Sequence, residues 1–214
     1  MSVFDRYYSK YDSWYERNRF AYLSEIEALK KVIPKQGRGL EIGVGTGRFA
    51  SALGITMGVD SSRDMLEIAS RRGVNVRWGF GENLPFWYNS FDYVAIIVSL
   101  SFVEDPHRVL NQAWRVLKDK GKLIVAIINR DSFLGKFYQT KKSVFYKEAN
   151  LFTVKELTAL LYSTGFGRFS YYQTIFKLPG NINSVEKPLK GFSSGGFVIV
   201  SCQKIRKNKI KKEV

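Results

Sequence analysis

The sequence of 214 residues holds one cysteine, Cys202, and one histidine, His107. A lone cysteine excludes an internal disulfide, and the pair together cannot furnish a cysteine- or histidine-rich metal centre. No metal ligands are therefore expected, and no mechanism that needs two histidines. No apolar run reaches the roughly 18 residues of a membrane-spanning helix. The opening Met1-Ser2-Val3-Phe4-Asp5-Arg6 lacks the apolar stretch of a secretory signal, so the expected compartment is the cytoplasm. Only five prolines occur, with no Pro-rich linker and no internal repeat. Acidic residues are scarce: 19 Asp and Glu face 34 Lys and Arg, a formal charge of +15. Part of that excess lies in Lys204 to Val214, with six cationic side chains and one anionic. Such a tail could meet nucleic acid or an acidic protein. It lacks the interleaved aromatics that stack on bases, and a solvated terminus is the simpler reading.

What is present is a regular alternation of strand and helix patterns. Phe20, Leu23, Ile26, Leu29 and Ile33 fall at helical spacing, and Pro34 closes that helix. Short strands are expected at Leu40–Gly43, Thr56–Asp60, Val74–Trp78, Phe91–Ser99 and Lys122–Ile128, separated by helical segments. The nearly unbroken apolar run from Val94 to Val98 suits a strand covered on both faces. Asp105-Pro106 reads as an N-cap followed by proline at the first helical position, and Gly121 as the stop of that helix. Thr153 with Glu156 forms a capping-box pattern. Two last strands, near Phe169–Phe176 and Gly196–Cys202, have no helix signal between them and should run antiparallel. The pattern specifies an α/β fold: a doubly wound, mostly parallel, seven-stranded sheet with helices on both faces and an antiparallel last strand.

The chemistry-bearing residues fall where such strands end. Gly43, Gly45 and Gly47 follow the first strand and precede a helix. Glycines there let the backbone turn sharply and admit a ligand beside the helix N-terminal amides. A dinucleotide turn reads Gly-x-Gly-x-x-Gly. Here Arg48 stands in place of the third glycine, which argues against a nicotinamide-dependent oxidoreductase. Asp60, at the end of the second strand, can accept hydrogen bonds from both hydroxyls of a ribose; it can also cap the helix after it. Gly79 to Phe86 and Ser99 to Phe102 follow the third and fourth strands at the same sheet edge.

Taken in order, Leu40–Ala50, Gly58–Leu66, Glu82-Asn83-Leu84-Pro85-Phe86, Ser90–Val94, Val103–Pro106, Arg115–Lys118 and Gly121–Leu123 closely resemble the class I S-adenosylmethionine-dependent methyltransferases. Within that class the sequence looks like the type 11 group, which includes the ubiquinone and menaquinone biosynthesis methyltransferases. The resemblance spans roughly residues 38 to 128. It implies a Rossmann-like methyltransferase fold and S-adenosylmethionine as cofactor. It implies that Gly43, Gly45 and Gly47 make room for the methionine portion, with Glu41 supporting their loop. Asp60 would bind the ribose, and Ser61 and Met65 would lie along the adenine. Gly81 and Glu82 would sit at the adenine edge, and Ser99 and Leu100 beside the reactive sulfonium. Many relatives carry an aspartate at the position of Phe80 that bonds the adenine amino group; Phe80 cannot do so. Tyr11-Asp12-Ser13-Trp14 is similar to the family's aromatic N-terminal cover. The implied organisation is a helical cover over 1–36, a methyltransferase domain over 37–203 with a lid at 131–151, and a basic tail over 204–214.

The acceptor is not written in these motifs. No convincing general base stands out. Glu104 and Asp105 follow the fourth strand, His107 opens a helix, and Asn129, Arg130 and Asp131 follow the fifth strand as candidate acceptor contacts. The Asn/Asp-Pro-Pro-Tyr motif of base-amino methylases is missing from Ser99-Leu100-Ser101-Phe102. Aromatic content favours a small apolar or flat acceptor. RNA, an acidic protein, or a non-catalytic cofactor-binding role are the alternatives.

Overall fold

The computed structural model describes residues 3–140 and 145–205. Residues 141–144 of the expected lid and 206–214 of the expected tail lie outside the described residues.

Two helices, α1 (Val3–Arg17) and α2 (Arg19–Leu29), precede β1 (Gly39–Ile42). Then follow α3 (Arg48–Leu53), β2 (Met57–Asp60), α4 (Arg63–Arg71), β3 (Asn75–Trp78), β4 (Phe91–Ile97), α5 (Pro106–Val116) and β5 (Leu117–Ile128). The chain ends with α6 (Phe133–Thr140), α7 (Val154–Thr164), β6 (Phe166–Thr174), β7 (Leu189–Lys190) and β8 (Phe197–Lys204). One sheet has the order β3-β2-β1-β4-β5-β8-β6-β7. Strands β1 to β5 pair in parallel, and β8 inserts antiparallel between β5 and β6. The expected seven strands are all present, and the two-residue β7 adds an eighth at the edge of β6. Among the described residues no helix is long and apolar enough to cross a membrane.

The central strands are buried on both faces because their side chains alternate between two cores. Tyr93, Ala95 and Ile97 of β4 and Ile124, Ala126 and Ile128 of β5 join one core, beneath α2, α3, α4 and α6. Val94 and Ile96 of β4, with Leu123, Val125 and Ile127 of β5, join the other, beneath α5 and α7. Local signals set several helix ends. Ser62 caps α4, Asp105 caps α5 by accepting from the amide of Arg108, and Thr153 with Glu156 forms both halves of the capping box of α7.

Among the boundaries that differ from the sequence reading, two show long-range pairing at work. Helix α5 ends at Val116, well before Gly121, because Leu117 turns to an extended conformation and pairs with Phe91. Lys204 belongs to β8. Its ammonium is buried, donating to the carbonyl of Leu117 at 2.6 Å and to Oδ1 of Asn89 at 3.0 Å, and it stands 4.1 Å from the centre of the Trp114 ring. A cation satisfied in this way is a staple between β8 and the start of β5.

The first glycine turn joins these layers. Gly47 caps α3 with φ of +77°, and a Cβ there would lie 2.9 Å from Cα and Cβ of Ala69 in α4. Gly47→Ala therefore meets both a left-handed backbone and a helix that cannot retreat. The expected loss is about 2 kcal/mol, a fall in Tm of roughly 4–8 °C for a domain of this size. Thermal unfolding followed by circular dichroism checks it; an unchanged Tm refutes the packing role.

Candidate active site

Strands β1 to β5 end at one edge of the sheet, where ligands of open α/β sheets bind. A cavity of about 540 Å³ opens there. Its wall includes Gly43 and Gly45 after β1, Asp60 and Ser61 at the end of β2, Met65 of α4, Gly81 and Glu82 after β3, and Ser99 after β4. Tyr11 borders it from α1.

The geometry explains the residue types. Gly43 has φ of +72°, and Ser99 occupies the space a Cβ would take. The Ser99 hydroxyl donates to the carbonyl of Ile42 at 2.8 Å, tying the turn after β4 to the turn after β1. Val98 reaches that position with φ of +63°, a conformation a β-branched residue rarely adopts. Strain of this kind concentrates where a site needs a particular backbone path. At Gly45 the nearest neighbours of a Cβ would be Sδ of Met65 at 3.6 Å and Cε1 of Tyr11 at 3.8 Å, both on the cavity wall. Oδ2 of Asp60 accepts from the amide of Gly45 at 2.8 Å, and Oδ1 from the amide of Ser62 at 2.9 Å. A glycine-lined cradle beside a held carboxylate fits an adenosyl cofactor with a zwitterionic amino-acid arm.

Nine of the twelve expected cofactor residues line the cavity: Tyr11, Gly43, Gly45, Asp60, Ser61, Met65, Gly81, Glu82 and Ser99. The other three stand behind it. Glu41 is buried beneath the loop, where its carboxyl accepts from the amide of Ala50 while Oε2 is unpartnered. Burial, then the nearby Asp60 charge, pushes that carboxyl well above its ordinary range. Gly47 packs on Ala69, as described above. Leu100 points into the core of the α5 face because Ser99–Phe102 forms a 3-10 turn. Phe80 lines the cavity with its ring half exposed, 5.7 Å from that of Trp78.

Other candidates fall elsewhere. Arg130 pairs with Glu156 at 2.6 Å, and the amide of Asp131 donates to the side chain of Asn129; neither borders the cavity. His107 is exposed on α5 beside Asn111. Glu104 and Asp105 do line the cavity, as does Arg108, whose Nε donates to the carbonyl of Glu82 at 3.0 Å. Sequence reasoning missed Arg108, because its place depends on α5 docking over the loop after β3. Among the described residues no group of three His, Cys, Asp or Glu could hold a metal ion.

A further assembly carries the N-terminal helix. Asp12 of α1 accepts from Nε and Nη2 of Arg48, from Nη1 and Nη2 of Arg72, and from the hydroxyl of Thr46, all at 2.7–3.0 Å. Arg72 also donates to the carbonyl of Thr46 at 2.6 Å. Burial would raise the Asp12 carboxyl, but these donors outweigh it and hold it well below the usual carboxylate range. Arg48, seen in the sequence only as a departure from a dinucleotide turn, thus links the glycine loop to α1.

Sheet order, glycine turn and strand-end aspartate together define a class I S-adenosylmethionine-dependent methyltransferase. A family model described as a methyltransferase domain matches residues 40–125. The chain is similar to a crystal structure from Thermotoga maritima described as a SAM-dependent methyltransferase, possible histamine N-methyltransferase. The TM-score is 0.92 and the identity 46%, covering 94% of this chain and 98% of that one. It is 50% identical to an uncharacterized protein of Methanocaldococcus jannaschii, over 96% of this chain and all of that protein. A demethylmenaquinone methyltransferase of Thermotoga maritima is 35% identical, over 64% of this chain and 66% of that protein. The chain belongs to the type 11 group of class I methyltransferases. It is an enzyme, and its cofactor is S-adenosylmethionine.

Proposed function

We propose that this enzyme methylates a small-molecule acceptor held between the cofactor cavity and an aromatic N-terminal cover. The observation that carries this reading is the place of Tyr11 on the cavity wall, latched to the glycine loop through its neighbour Asp12. A cavity bordered by a latched helix suits an acceptor that enters whole better than a polymer that lies across it. The description of the Thermotoga maritima structure as a possible histamine N-methyltransferase is in keeping with a small acceptor.

In this reading residues 1–36 are the cover, 37–203 the catalytic domain and 131–151 the lid. Asp60 takes the ribose hydroxyls. Gly43 and Gly45 admit the methionine arm, while Glu41 and Gly47 brace their loop from behind. Ser61 and Met65 flank the adenine, Gly81 and Glu82 border its edge, and Phe80 offers it a ring face in place of a carboxylate. Ser99 borders the reactive end, with Leu100 anchoring the turn. The bound cofactor supplies a methyl group already activated as a sulfonium. The protein aligns the acceptor and excludes water, which accounts for much of the expected acceleration.

Incubation with methyl-labelled S-adenosylmethionine and fractionated cell extract tests the reading. Label should appear in the small-molecule fraction. Label confined to RNA or protein would overturn the small-acceptor reading, and no label in any fraction, despite cofactor binding, would point to a non-catalytic relative.

A further inference from the structure

The opposite edge of the sheet, where β1, β4 and β5 begin, carries a cationic surface. Asp92 gathers it: Oδ2 accepts from the amide of Arg38 at 2.7 Å, and Oδ1 from Nζ of Lys118 at 2.8 Å. Lys35, Arg38, Lys118 and Lys120 are exposed here, and Lys122 is half-buried, donating to the carbonyl of Val32. Against these five cations, residues 35–38, 87–92 and 117–122 hold two carboxylates, Asp92 and Asp119. Strand β8 ends at the same edge, since Lys204 is tied to Leu117 and Asn89. The sequence that follows, 206–214, adds five cations and one carboxylate.

Two aromatic side chains stand out from this edge. Trp87 is 86% exposed and Tyr88 68%. Their turn is held on three sides. The Ser90 hydroxyl donates to the carbonyl of Trp87 at 2.8 Å, the amide of Asn89 donates to the carbonyl of Arg115 at 3.2 Å, and the Asn89 side chain accepts from Lys204. Phe86, next in the chain, packs inward against Phe91 with ring centres 5.0 Å apart. The turn thus sends one aromatic to the core and holds the next two in solvent, among cations. The seven residues of β4, Phe91–Ile97, separate this edge from the cofactor cavity by roughly 20 Å.

We propose that this edge docks the protein on an anionic lipid surface, with Trp87 and Tyr88 at headgroup depth and the surrounding lysines and arginine over the lipid phosphates. Charge complementarity selects an anionic partner. The aromatics select a lipid one. An indole and a phenol each join an apolar body to a polar tip, the pairing that settles at a membrane–water boundary. Single-stranded nucleic acid asks instead for several open ring faces in succession, and Arg115 covers a face of Tyr88, its Cζ 5.0 Å from the ring centre. Reversible membrane binding needs two signals. Here a wedge of aromatics and a basic field meet on one edge, and the sequence beyond β8 extends the field. Docking at this edge leaves the cofactor cavity facing away from the lipid, so attachment and methyl transfer do not compete.

Sedimentation of the full chain with large unilamellar vesicles tests the assignment. Vesicles of phosphatidylcholine alone are compared with vesicles that also hold phosphatidylglycerol at about one lipid in three, in about 0.1 M salt. The protein should bind the anionic vesicles at least about tenfold more tightly, and raising the salt to about 0.5 M should remove most of that difference. Lys35→Gln combined with Lys120→Gln should weaken binding about 30-fold, at about fivefold for each cation withdrawn from an anionic surface. Trp87→Ala should weaken it about tenfold. All three changes lie on exposed side chains away from the cavity, so each variant should keep the wild-type affinity for S-adenosylhomocysteine. Equal binding to neutral and anionic vesicles overturns the proposal. So does anionic binding that survives both variants, or a single-stranded RNA oligonucleotide that binds more tightly than the anionic vesicles and loses affinity in the same variants.

Discussion

Asp60→Ala should weaken S-adenosylhomocysteine binding by roughly 100- to 10,000-fold. The figure follows from the two hydrogen bonds that ribose hydroxyls would make to the carboxylate in the proposed pose, each contributing about 1.5–3 kcal/mol. The carboxylate also accepts from the amides of Gly45 and Ser62. Alanine would free both amides and loosen the glycine turn proposed above to admit the methionine arm. Asp60→Asn separates the two roles. An asparagine keeps one acceptor oxygen for the loop but loses the charge and the second acceptor. Its affinity should fall between wild type and alanine. Isothermal titration of the three proteins measures this. An Asp60→Ala protein that binds within threefold of wild type would remove Asp60 from the ribose site.

The glycine turn, Asp60 and the turn at Ser99 were legible in the sequence because each follows an apolar strand in a short, fixed spacing. The parallel sheet was legible for the same reason: strand and helix periods alternate from Leu40 to Ile128, save for the helix-free loop between β3 and β4. What was not legible depends on distant pairing. Helix α5 stops at Val116 because Leu117 pairs with Phe91, which lies before the helix in the chain. Lys204 reads as the first residue of a charged tail, yet it is buried by Trp114, Asn89 and Leu117, from quite separate stretches. Leu100 reads as a cofactor neighbour beside Ser99. A 3-10 turn rotates successive residues by about a third of a circle, so one faces the cavity and the next the core.

Helix α1 is coupled to the glycine loop most directly through Asp12, and Asp12→Ala should reveal it. Three residues converge on one carboxylate from positions 34, 36 and 60 residues away. The side chains of Asp12, Arg48 and Arg72 are 21%, 13% and 28% exposed. Removing the carboxylate leaves two guanidinium groups half-sheltered beside each other without their common anion. A fully buried pair broken in this way costs about 3–5 kcal/mol. Partial exposure screens that, and Glu16 can still pair with Arg48, so about 3 kcal/mol is expected. Because Thr46 loses its acceptor at the same moment, the effect should reach the glycine loop, and affinity for S-adenosylhomocysteine should drop about tenfold. The acid side gives an independent check. The folded protein holds the Asp12 carboxyl below its ordinary value, so its contribution is complete above about pH 4 and is lost as pH falls toward the depressed value. Wild type should therefore lose stability across that acid window more steeply than Asp12→Ala, whose melting temperature is already lowered. Parallel slopes for the two proteins would show that the latch contributes nothing and that α1 is held by its tyrosines alone.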